Sequence, residues 1–137
     1  MSFFLLCTGV YAQPPKKKTT TKKAQSAFYK TSQLDKVLVK QYMDSIGIRN
    51  SDIVLRQALY ETGYFKHKAG MQKNNIFGFR HSKSYMRFKS WRACVDYYKK
   101  WQDKNYLDST EDYYKFLERI KYARSPVYIA HLKKVKV

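Results

Sequence analysis

The chain of 137 residues suits one domain, and 44% apolar residues suffice for a core, which excludes wholesale disorder. Twenty-eight Lys and Arg against ten Asp and Glu give +18 at pH 7, a field that gathers polyanions (nucleic acid, anionic lipid, acidic wall polymer) without choosing among them. Thirteen Tyr, eight Phe and two Trp exceed the ring surface a core of this size requires, and rings stack on sugar faces as readily as on bases.

Residues 1–12 read as an export signal: Phe3 to Val10 is a short apolar run, and Val10-Tyr11-Ala12 offers a small-residue cleavage site before Gln13. The run is too short to span a bilayer, it lacks a basic leader, and Leu6 before Cys7 suits a lipoprotein signal poorly. Cleavage after Ala12 removes Cys7 and leaves Cys94 without an intrachain partner. Cys94 shares a helical stripe with Trp91, Tyr98 and Trp101, so it reads as a small core residue rather than a nucleophile. Residues 13–31 hold a proline pair and six lysines with no apolar periodicity, which predicts a disordered basic linker ahead of a folded domain over 32–137. A nucleic-acid arm would need a cytoplasmic protein, against the apolar leader, so no nucleic acid partner is expected.

From Ser32 the pattern turns helical. Ser32 is placed to cap a helix through about Ile46, with Leu34, Val37, Leu38, Tyr42 and Ile46 as its apolar positions and Gly47 as its stop. Asn50 or Ser51 caps a second helix through Glu61, stopped by Gly63. Residues 64–89 lose the helical period; Asn74-Asn75 and Gly78 mark turns, and Ser84 to Lys89 alternates like a strand. Ser90 caps a third helix through about Lys104, Thr110 opens a fourth to about Tyr122, and Ser125-Pro126 opens a fifth. The predicted class is mainly α, with a small irregular or β-hairpin lobe after the second helix.

Glu61 is followed by thirty-four residues, Thr62 to Val95, with no Asp or Glu and eight Lys or Arg. Counting back by three and then four reaches Ala58 and Val54, so its side chain belongs to an apolar stripe, in a last helical turn where the dipole also disfavours a carboxylate. Both effects raise a carboxyl pKa, as a general acid near neutrality requires, while Lys66 and Lys68 oppose them. Two readings fit: an acid for glycosidic cleavage, or a helix-end residue paired with one of those lysines.

Four segments in order resemble the successive motifs of the bacterial peptidoglycan glucosaminidases: Tyr60-Glu61-Thr62-Gly63-Tyr64-Phe65, Asn74-Asn75-Ile76-Phe77-Gly78-Phe79, Tyr85 to Trp91, and Tyr122-Ala123-Arg124-Ser125-Pro126-Val127-Tyr128. The resemblance covers roughly residues 34–135. It implies a compact lysozyme-like fold and cleavage of the β-1,4 bond after N-acetylglucosamine in peptidoglycan, with Glu61 as general acid. It further implies that Tyr122 lines the cleft and assists the chemistry, and that Asn75, Phe77 and Gly78 form a turn beside Glu61, with Asn75 and Phe77 as candidates either for substrate contact or for holding that loop. Tyr64, Tyr85 and Trp91 are candidates for stacking on sugar rings, and Tyr128, closing the last motif, for substrate contact or packing. His67 and His81 lack companions for a metal site, so no metal or cofactor is expected. The expected partners are glycan strands and acidic wall polymer, and the expected location is exported, periplasmic or bound to the wall.

One departure from the family pattern matters. The small lobe offers no second carboxylate of the kind some members of the family have, leaving Asp96, Glu111 and Asp112 as outside candidates, the last two more naturally explained as favourable charges at a helix start. The favoured chemistry is therefore substrate-assisted cleavage. A lytic transglycosylase of the same fold and a non-catalytic basic binding module are the alternatives.

Overall fold

A computed structural model describes residues 34–137, and these form one compact unit. The expected export signal, the basic linker and the Ser32 cap lie outside the described residues. Six helices and one hairpin follow in order: α1 Lys36–Ser45, α2 Ser51–Thr62, α3 Lys68–Gln72, β1 Arg80–His81, β2 Ser84–Tyr85, α4 Trp91–Asn105, α5 Tyr113–Arg119 and α6 Tyr128–Lys134. The mainly α architecture with a small antiparallel hairpin is that of the expected lysozyme-like class. Among the described residues no helix is long and apolar enough to cross a membrane.

Helix α2 is the centre of the assembly. It packs against α1, α3 and α6, and its Val54, Leu55, Ala58 and Leu59 are buried among Val39 and Met43 of α1 and Leu132 of α6. Helix α4 supplies Cys94, Val95 and Tyr98 to the same core. Cys94 is fully buried, and burial pushes its thiol up to about 12, so it stays protonated and inert, as its stripe predicted.

Several boundaries differ from the sequence reading. The cap of α1 within the described chain is Asp35, whose carboxylate accepts from the Val37 amide at 2.9 Å. The core face of α1 is Val39 and Met43, whereas Val37 and Leu38 remain 55% and 42% exposed. Val37 and Leu38 compete as an apolar row with Val39 and Met43 on this helix, so periodicity alone could not choose the face that meets α2. Helix α5 opens at Asp112, not Thr110, because Asp108 captures Thr110 through both its amide (2.9 Å) and its hydroxyl (2.7 Å) in a side-chain turn. It also ends before Tyr122, since Lys121 turns left-handed at φ 52°. The strand expected over Ser84 to Lys89 is regular only at Ser84–Tyr85, pairing with Arg80–His81, and α3 was not foreseen.

Asn75 organises the hairpin lobe. Its buried amide donates to the carbonyls of Phe79 (2.8 Å) and Met86 (3.0 Å) and accepts from the Phe79 amide (2.9 Å), while Asn74 donates to the Phe88 carbonyl (3.0 Å). One side chain thus clamps both arms of the hairpin. Asn75→Ala is expected to lower stability by about 2–4 kcal/mol, because three bonds are lost and buried backbone groups are left unpaired. Urea unfolding with an unchanged slope and a lower midpoint is the check.

Candidate active site

The end of α2 is built to present Glu61. Thr62, buried at its side, donates its hydroxyl to the Ala58 carbonyl (2.6 Å) and accepts from the Phe65 amide (2.9 Å). These bonds hold a left-handed stretch over Gly63, Tyr64 and Phe65, with φ of 54°, 59° and 62°. Two non-glycine residues in that region carry strain. Gly63 opens the turn because it has no Cβ: one there would lie 2.5 Å from the His67 ring.

Glu61 looks into a cleft of about 890 Å³ lined by Phe77, Gly78, Phe79, Arg80, Ser82, Lys83 and Tyr85 from the hairpin lobe, Trp101 and Asn105 from α4, and Ile120 to Arg124 beyond α5. The backbone at Gly78 (φ 67°) passes so close that a Cβ would stand 2.9 Å from Glu61 Oε2. Burial raises the Glu61 pKa above the ordinary carboxylate value; the Tyr128 hydroxyl and the Arg80 charge oppose this without overturning it. The carboxyl therefore keeps its proton to higher pH than an exposed glutamate.

Behind Glu61 runs a chain of buried polar groups. Gln102 accepts from the Arg49 amide (2.9 Å) and donates to the Arg49 carbonyl and the Tyr113 hydroxyl (both 2.8 Å). The hydroxyls of Tyr113 and Tyr98 share a bond of 2.7 Å, and Tyr98 donates to Gln57 at 2.6 Å. Gln57 stands one turn before Glu61 on α2. The Tyr128 hydroxyl bears on both Gln57 and Glu61, yet makes no regular hydrogen bond among the described residues, and neither does Gln57 Nε2. Burial raises the Tyr128 and Tyr122 phenols well above their ordinary value, so both remain neutral.

Of the residues named from sequence, the structure brings Glu61, Phe77, Tyr85 and Tyr122 to this one cleft. Tyr122 donates its hydroxyl to the Phe77 carbonyl (3.1 Å) and stacks on Tyr128. The Phe77 ring itself is buried 4.3 Å from that of Tyr98. Tyr85 is exposed, with the Arg80 guanidinium 4.0 Å over its ring. Asn75, Tyr64 and Tyr128 do not line the cleft: Asn75 is buried beneath the hairpin, Tyr64 borders a separate hollow with Leu34 and Phe65, and Tyr128 is buried behind Tyr122. Trp91 packs edge-on against Tyr42, also away from it.

Sequence reasoning missed Trp101, which lies edge-on to Tyr122 (5.4 Å) in the cleft wall, because its helical stripe reads as core. It also missed the cations Arg80, Lys83, Lys121 and Arg124, which no helical period singles out. The outside carboxylates are engaged elsewhere. Asp96 accepts from Tyr42 (2.8 Å), Glu111 pairs with Arg119 (2.7 Å), and Asp112 caps α5. Glu61 is the single acidic residue of the cleft lining.

No curated protein and no solved structure matches the chain. The family model of mannosyl-glycoprotein endo-beta-N-acetylglucosaminidase matches residues 36–136, a span that takes in Glu61, the whole cleft and all six helices. The chain therefore belongs to the glucosaminidase family, whose members are glycoside hydrolases.

Proposed function

We propose that this protein is an exported peptidoglycan hydrolase that cleaves the β-1,4 bond after N-acetylglucosamine, with Glu61 as general acid and the substrate's own 2-acetamido group as nucleophile. The observation that carries the reading is one half-buried carboxyl of raised pKa, alone in a cleft lined by aromatic and basic side chains. Glu61 gives its proton to the glycosidic oxygen as the C1–O bond breaks. The acetamido oxygen bonds to C1, forming an oxazolinium ion. Water then adds at C1, reopens that ring and returns a proton to Glu61, which now acts as base. Tyr122, its proton committed to the Phe77 carbonyl, keeps oxygen lone pairs for the positive charge that develops at C1.

The test of substrate assistance is a soluble N-acetylglucosamine oligomer and wall glycan strands, each offered with and without N-acetyl groups. Cleavage of the acetylated forms alone is expected; comparable cleavage of the deacetylated forms would make a protein carboxylate the nucleophile or base.

The pH dependence follows from the same carboxyl. Activity is expected to fall on the alkaline side as Glu61 loses its proton, with a midpoint above the ordinary value of 4.5. Arg80 holds that pKa down, so Arg80→Gln should move the alkaline limb of kcat to higher pH. A limb that stays in place, or moves lower, would remove Arg80 from the electrostatics of the acid.

A further inference from the structure

The cleft carries more positive charge than a neutral glycan can use. Arg80 and Lys83 come to it from the hairpin, and Lys121 and Arg124 from the stretch after α5. Neutral sugars are held by hydrogen bonds and ring stacking, which lysine and arginine can supply as donors but which call for no net charge. Four cations around one cleft also repel one another. The ion pairs among the described residues lie elsewhere: Lys40 with Asp44 and Asp52, Arg49 and Lys99 with Asp103, and Arg119 with Glu111. None of the four cleft cations is in one, and Glu61 is the only acid in the lining. Arg80 is committed to the Tyr85 ring and hydroxyl, which leaves Lys83, Lys121 and Arg124 for a ligand.

We propose that Lys83 and Arg124 are specificity residues that read carboxylates carried by the glycan strand as it crosses the cleft. Strands bearing carboxylates should then bind more tightly than a neutral N-acetylglucosamine oligomer, which the cleft still accepts. This inference rests on the glycan-cleaving reading of the same cleft. The cations act on binding and leave the chemistry at Glu61 untouched, so their effect belongs in KM and in the salt dependence of affinity.

Binding to the inactive Glu61→Gln protein tests this without requiring turnover. The ligands are soluble wall strands, the same strands with carboxylates converted to neutral amides by carbodiimide and ammonia, and strands stripped of peptide that retain only the ether-linked acid. Adding Lys83→Gln and Arg124→Gln should weaken binding of native strands by about 10-fold and flatten its salt dependence, and should change binding of amidated strands by less than about twofold. The control Lys36→Gln with Lys115→Gln removes the same charge from exposed positions outside the cleft, and should have less than about a third of that effect. Stripped strands that respond like native ones assign the ether carboxylate; stripped strands that respond like amidated ones assign the peptide. Equal weakening by the control pair, or equal loss on amidated strands, would overturn the proposal. Absence of turnover by the Glu61 protein on every strand would count against the hydrolase reading alone, because the binding result stands without it.

Discussion

Glu61→Gln is expected to reduce glycan cleavage by about 10²-fold or more while the protein stays folded, because the amide keeps the shape and loses the transferable proton. Stability should move the other way. The folded-state pKa is raised above the unfolded one, so the stabilising contribution of this group is fully present below about 4.5 and is lost as pH rises through the folded value. Above the folded value the wild-type protein carries a partly buried charge that the variant lacks, and there Glu61→Gln should melt no lower than wild type. Thermal unfolding beside a wall-clearance assay checks both halves. Near-normal clearance would remove Glu61 from the chemistry, and a lower melting point would mean that the side chain is a structural ion-pair partner.

Gly78→Ala should give the second large effect, without removing any reacting group. A left-handed φ of 67° costs alanine about 1–2 kcal/mol, and its Cβ would meet Glu61 Oε2 at 2.9 Å, so the carboxyl or the loop must shift. Displacement of an acid by a fraction of an ångström is expected to lower kcat by about 10- to 100-fold, with KM changed far less. A loss confined to KM would show that the loop shapes the binding surface and does not set the position of Glu61.

Much of this arrangement is legible in the sequence, for identifiable reasons. Gly63, Thr62 and the stripe through Ala58 and Val54 determine where α2 ends and which way Glu61 faces, and all of that is local. The same holds for the Ser90 cap of α4, whose side chain accepts from the Ala93 amide. The face of α1 was not legible, because two apolar rows compete and only the position of α2 decides between them. For Asn75 the sequence left sugar contact and holding the loop side by side, because the bonds that decide for the loop reach Phe79 and Met86, and the second partner is eleven residues away. The polar chain from Gln102 to Gln57 was invisible for the same reason, since its links join positions 41 and 53 residues apart. The cleft cations escaped because lysines and arginines are everywhere in a chain of charge +18, and only the fold separates those around Glu61 from the rest.

Glu61 is proposed to drive hydrolysis, rather than transglycosylation, of the glycan strand. Mass spectrometry of wall digests made in ¹⁸O-labelled water tests it most directly. New N-acetylglucosamine reducing ends that carry the label are expected, and should disappear with Glu61→Gln. Unlabelled anhydro ends would make the enzyme a transglycosylase, and strands left intact by the wild-type protein would contradict the assignment of hydrolysis altogether.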